Sequence, residues 1–157
     1  PIIDDCDKLV VLGDLYYIGP RSRINNDYDI LYIQEFLTNY KDKIICMRGN
    51  CDSEVDIKIS DFVINEGISY LNLDNNDIYI THGDFYNSNY NKIKENSILI
   101  YGHEHIPYIK NIDNKHFICV GSISIPRNNK ATYLIYENNR FNLYYIDGDI
   151  EDSLIIY

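Results

Sequence analysis

Four times along this chain a short apolar run stops at a glycine that stands beside a side chain able to bind metal. Lys8 to Leu12 leads into Gly13-Asp14, Lys43 to Met47 into Arg48-Gly49-Asn50, "DIYIT" into His82-Gly83, and "SILIY" into Gly102-His103-Glu104-His105. Apolar runs of this length read as buried strands, and glycine lets the chain turn sharply and other groups approach closely. Four strand ends therefore offer one carboxylate, one carboxamide and three imidazoles at one rim of a sheet. In "GHEH" both histidines would point to one face if the backbone is extended. One histidine after a strand is usually a satisfied structural residue, but four such ends in one chain are hard to explain that way. Mixed nitrogen and oxygen donors suit Mn, Fe, Ni or Zn rather than Ca or an all-thiolate zinc site.

The order of elements fits an α/β fold. After the first strand, Ile30, Ile33, Phe36, Leu37 and Tyr40 recur at helical spacing, with Asp27 or Asp29 available as a cap. The next strand, 43 to 47, completes a parallel crossover unit. Downstream come short strands at 68–73, 77–81, 98–101, 117–120, 132–136 and 140–146. "ENNR" reads as a hairpin turn and "DNND" at 74–77 as a turn, since it lacks the glycine and terminal Glu of a calcium loop. The polar stretch from Phe85 to Asn96 reads as a loop plus a short helix. His116 reads as a bland surface position ahead of a strand.

Composition narrows the classes. At 157 residues the chain is expected to form a single domain, 1–157. A net charge of −10 argues against coating nucleic acid, which draws its affinity from clustered Lys and Arg. No run reaches the roughly 20 apolar residues of a membrane span, so a soluble protein with no membrane partner is expected. The four cysteines form no CxxC pair and no glycosylation sequon is present, which reads as free thiols in a reducing cytoplasm. Asn and Tyr are so abundant that any one of them is weak support for a site. The Tyr-rich stretches read as sheet packing.

As a set, "GDLYYIGPR" (13–21), "RGNCDSEVD" (48–56), "THGD" (81–84), "YGHEH" (101–105) and "GSISIPR" (121–127) resemble, in order and spacing, the motifs of the calcineurin-like metallophosphoesterases. The likeness is strongest to the small YfcE-type phosphodiesterases. That resemblance implies a four-layer αββα sandwich with two divalent metals, Mn by first expectation, at the carboxyl ends of the strands. By position, Asp14 would bridge both metals, Asn50, His82 and His103 would complete one site, and His105 would belong to the other. Cys51 stands where many relatives carry a phosphate-contacting His, and Asp52 would anchor its neighbours. Arg48 would pack or pair nearby. Arg21 would contact phosphate or else lie on the surface after a turn.

The implied activity is hydrolysis of a small phosphodiester by a metal-bridging hydroxide, with Asp14, Asn50, Cys51, His82, His103 and His105 as the catalytic set. A phosphomonoesterase or nucleotide hydrolase on the same site is a further reading. The alternative from another class is a non-catalytic interaction scaffold on this fold. A second copy of the chain stays open as a protein partner.

Two departures from the family pattern bear on catalysis. The family opens with a strand ending in Asp-x-His, and this sequence has no such motif. Roughly 20 to 30 residues, most of one crossover unit, are missing by comparison. An N-terminally truncated chain is expected rather than a shortened natural protein, because removing a central strand would expose its neighbours and leave a void. One metal site is then complete, while the second keeps only Asp14 and His105. In addition, Asp84 replaces the usual His of the "THGH" element.

Overall fold

Which side chains meet is decided by strand alternation, and the five-stranded sheet shows it most clearly. In the computed structural model, which describes residues 2–16, 29–90 and 92–156, this sheet has the order β4-β5-β6-β8-β7. Its strands are β4 (Ile68–Leu73), β5 (Asn76–Thr81), β6 (Ile98–Tyr101), β7 (Tyr108–Ile112) and β8 (Lys115–Cys119). Ile78, Ile80, Ile98, Ile100 and Ile118 point to one face and form the main core with Met47 and Phe141. Leu99, Tyr101, Phe117 and Cys119 point to the other, where Ile93 and the half-buried Tyr90 pack on them. Both faces are thus apolar, as expected of strands buried on two sides.

Two smaller sheets supply the opposite wall of the main core. A parallel sheet, β1-β2-β3, contains β1 (Leu9–Val11), β2 (Ile44–Met47) and β3 (Ile64–Asn65). An antiparallel sheet, β11-β10-β9, contains β9 (Thr132–Glu137), β10 (Arg140–Tyr145) and β11 (Ile150–Ile155). Met47 of β2 and Phe141 of β10 carry the contact to the five-stranded sheet. Among the described residues β1 is bonded only to β2, and β9 only to β10.

The expected crossover is present: β1 pairs with β2 in parallel, Leu9 opposite Ile44, after helix α1 (Ile30–Thr38). Asp29 caps that helix, its carboxylate accepting from the Tyr32 amide at 3.0 Å. The three tight hairpins turn on Asp74-Asn75, Asp113-Asn114 and Asn138-Asn139, every one of these six residues having a φ between 51° and 65°. Paired left-handed residues match the twist of the flanking strands, and Asn and Asp tolerate that conformation best.

Four elements differ from the sequence expectations. Helix α2 (Glu54–Ile59) and strands β3, β7 and β11 lie where the sequence reads as motif or loop. No helix forms among the described residues of 85–96. The segment is too polar to carry an apolar helical stripe, and it contributes Ile93 and Tyr90 as separate anchors. His116 is not a surface residue before a strand. It lies within β8, half-buried, and burial lowers its imidazole below the usual histidine range. Among the described residues no helix is long and apolar enough to cross a membrane.

Candidate metal centre

Two loops at the carboxyl ends of β1 and β2 are interlocked before any donor is placed. Gly13 has φ 89° and Asp14 φ 55°, so the chain reverses immediately after the strand. A Cβ on Gly13 would come within 2.5 Å of the Gly49 amide nitrogen and 2.8 Å of His82 Nδ1. A Cβ on Gly49 would in turn collide with the carboxylate and backbone nitrogen of Asp14. Only glycine at both positions allows the approach.

Asp52 closes the lock. Its buried carboxylate accepts from the backbone amides of Gly49 at 2.7 Å, Leu15 at 2.7 Å and Asp14 at 2.9 Å. Burial raises the Asp52 carboxyl above the usual range, and these three donors pull in the opposite direction. The expected anchoring role is met through backbone rather than side chains. Arg48 pairs nearby, as expected, with Glu54 at 2.9 Å and Glu66 at 2.5 Å.

The donors converge on His82. Its Nδ1–H donates to the Leu12 carbonyl at 2.6 Å, which leaves Nε2 with a lone pair when the ring is neutral. That Nε2 lies 3.0 Å from Asn50 Oδ1, 3.1 Å from His103 Nδ1 and 3.5 Å from Asp14 Oδ2. Asp14 Oδ1 is already engaged by the Cys51 amide at 2.9 Å, so Oδ2 is the oxygen turned toward the imidazole. His103 is held below the ordinary histidine range by burial first and by His82 second, which favours its neutral form.

This donor set fits a divalent cation. Ligands bonded at about 2.1 Å stand roughly 3.0 Å apart at right angles and roughly 3.4 Å apart in a tetrahedron, close to the separations seen. With Nδ1–H given to Leu12, an Nε2 lone pair facing Asn50 Oδ1 would set two acceptors against each other unless a cation lay between them. Asp14, His82 and His103 also form the one potential ligand group of His, Cys, Asp and Glu side chains among the described residues.

His105, Cys51 and Asp84 are not part of this ligand group. His103 and His105 have φ of 56° and 58°, so "GHEH" is a left-handed turn and not an extended strand carrying both rings on one face. His105 lies outside the ligand group, its Nδ1–H donating to the Ile125 carbonyl at 2.7 Å. The Cys51 thiol sits 3.4 Å from the Asn50 amide nitrogen. Arg21 lies outside the described residues. Asp84 is exposed and lines an open cleft of ≈ 460 Å³ together with Arg48, Asn50 and Glu66.

Sequence reasoning missed two supports. The Leu12 carbonyl carries no side-chain signature. Tyr108, on the unexpected strand β7, donates to Glu104 at 3.0 Å and meets the hydroxyl of buried Tyr101, tying the "GHEH" turn to the sheet.

Residues 2–140 match the calcineurin-like phosphoesterase superfamily domain. Over 133 residues the chain is 34% identical to phosphodiesterase YfcE of Escherichia coli K12, covering 83% of this chain and 72% of that protein. The solved structure of the E. coli phosphoesterase YfcE superposes with a TM-score of 0.91 at 30% identity, over 98% of this chain and 86% of that one. Vacuolar protein sorting 29 from Cryptosporidium parvum superposes with a TM-score of 0.55 at 19% identity, over 95% and 98% of the two chains, a likeness of fold alone.

Proposed function

The chain belongs to the calcineurin-like phosphoesterase superfamily, and from that premise we propose that it is a metal-dependent phosphodiesterase acting on a small organic phosphodiester. One observation carries the reading: three donors from three other strand ends, on Asn50, His103 and Asp14, stand at coordination spacing around His82 Nε2. Asp14, Asn50, His82 and His103 would hold one cation. His105, with its Nδ1–H committed to a carbonyl, would serve a second cation shared with Asp14. Bound divalent cations, Mn by preference, supply Lewis acidity toward the phosphoryl oxygens and activate water as the nucleophile.

The chain's own residues set the stage for that chemistry. The Leu12 carbonyl fixes the His82 tautomer, the Cys51 amide orients the Asp14 carboxylate, and Asp52 holds both loops in register. Asp84 and Glu66 make the cleft acidic, which disfavours a dianionic monoester more than a monoanionic diester. Around this site we read the whole as one domain in a four-layer αββα arrangement, with the 85–96 segment on the outer side of the five-stranded sheet. No disulfide joins the four cysteines, which fits a reducing cytoplasm.

The test is metal content by elemental analysis and hydrolysis of bis(4-nitrophenyl) phosphate with added Mn, in the wild type and in Asn50→Ala and His82→Ala. Loss of bound metal and of turnover in both variants is expected. Unchanged metal content in both would sink the site assignment, and a wild type with neither metal nor turnover would favour the scaffold reading.

A further inference from the structure

An exposed aromatic ring borders the cleft that Asn50 lines. Phe85 follows His82 by three residues, and its side chain is 73% exposed. Single exposed apolar residues are ordinary on a protein surface. Phe85, however, lines the same ≈ 460 Å³ cleft as Asn50, and it also borders a second cleft of ≈ 550 Å³ with Tyr86 and Tyr90. The two openings thus share Phe85 and Tyr86, so a group reaching from Asn50 along the first cleft meets the ring.

The ring is also held in place. Phe85 meets Tyr86 edge-on, with centroids 4.9 Å apart and planes at 80°, and Tyr86 meets Tyr90 at 4.6 Å and 73°. Behind this ladder Asn87 Nδ2 donates to the Gly83 carbonyl at 3.1 Å, and the Ser88 amide donates to the hydroxyl of buried Tyr101 at 3.1 Å. The backbone carrying Phe85 is therefore tied to the sheet that carries His82 and His103. A ring fixed in this way offers a surface for stacking at little further loss of side-chain freedom.

Charge selects what would lie on it. Glu66 and Asp84 line the cleft, and Arg48, the one cation among its described lining residues, is already paired with Glu54 and Glu66. A second phosphate beyond the scissile one would meet repulsion there, whereas a neutral ring would not.

Resting on the phosphodiesterase reading, we propose that Phe85 is a specificity-determining platform that stacks a neutral aromatic ester group, so that the site prefers phosphodiesters of aromatic alcohols over those of small alkyl alcohols. Calorimetric titration of the Mn-loaded protein with diphenyl phosphate and with dimethyl phosphate tests this without requiring turnover. The wild type is expected to bind the diphenyl ester about tenfold tighter or better, in line with aromatic stacking. In Phe85→Ala that ratio should fall toward one, and in Phe85→Tyr, which keeps the ring, it should persist. Equal binding of the two esters by the wild type, or an unchanged ratio in Phe85→Ala, overturns the proposal. Hydrolysis of bis(4-nitrophenyl) phosphate, followed in parallel, separates the two ideas. No turnover with the aryl preference intact would sink catalysis alone, and turnover with no effect of Phe85→Ala would sink the platform alone.

Discussion

The two three-stranded sheets that face the five-stranded one are built in opposite ways. Strands β1, β2 and β3 run for 3, 4 and 2 residues, in parallel, and two of them end in the glycine turns that place Asp14 and Asn50. Strands β9, β10 and β11 run for 6 residues each, antiparallel. Phe141 and Leu143 are buried beneath this sheet, and Tyr133 stacks on Tyr144 at 5.5 Å. The antiparallel sheet has a long ladder and its own packing. The parallel one has few ladder bonds, and its site loops are held by the Asp52 carboxylate. Of these two sheets, the one with the shorter ladder carries donor loops, and a single buried acid compensates for it.

That contrast can be broken most forcefully at Phe141. Phe141→Ala should lower unfolding free energy by about 3–5 kcal/mol, read from denaturant midpoints, while the folded protein keeps its wild-type metal content. Metal lost along with stability would mean the two sheets are not separable in function. The next largest effect is expected from Asp52→Ala. Removing an acceptor for three amides should cost about 2–3 kcal/mol and also abolish metal binding, because Asp14 and Asn50 lose their shared anchor. A variant that is destabilised but still fully loaded with metal would show that the glycine contacts alone align the loops.

The smallest expected effect concerns the buried thiols. Burial pushes Cys46, on β2, to about 12 and Cys119, on β8 of the five-stranded sheet, to about 11. A raised pKa means less thiolate, so at pH 8 only about one in ten thousand and one in a thousand, respectively, would be ionised in the folded state. Reactivity from the folded state would then favour Cys119. Labelling with iodoacetamide should instead modify Cys46 a few-fold faster, because the short parallel sheet opens locally more often. The reverse order would show that both sheets open together.

The sequence was readable where local physics decides. Helix α1 and its Asp29 cap, the strands at 68–73 and 98–101, and the turns at Asp74-Asn75 and Asn138-Asn139 follow from periodicity and from left-handed turn chemistry. The same turn signal stood at Asp113-Asn114, but Pro107 and the polar Lys110-Asn111 disguised β7, which among the described residues is bonded only to β8. β11 was hidden in the same way by Glu151 and Asp152. Ser53 and Asp56 spell a capping box for α2 inside a stretch that also reads as a chemical motif. At the site, Asp14, Asn50, His82 and His103 were legible as strand-end donors. The bend at His103 and His105, in place of an extended strand, was not, because left-handed φ at two histidines has no signature in residue type.

His82 and His103 leave adjacent parallel strands, and the Gly102 amide bonds the His82 carbonyl at 2.8 Å, extending the ladder by one rung to the point where the rings depart. Their ring centroids stand 5.0 Å apart, about the pitch between neighbouring strands in any sheet. The gap between these two imidazoles is thus a property of backbone pairing and not of loop length. Insertions in the surrounding loops can reshape what enters the cleft while the interval between these two donors stays at the value the sheet imposes.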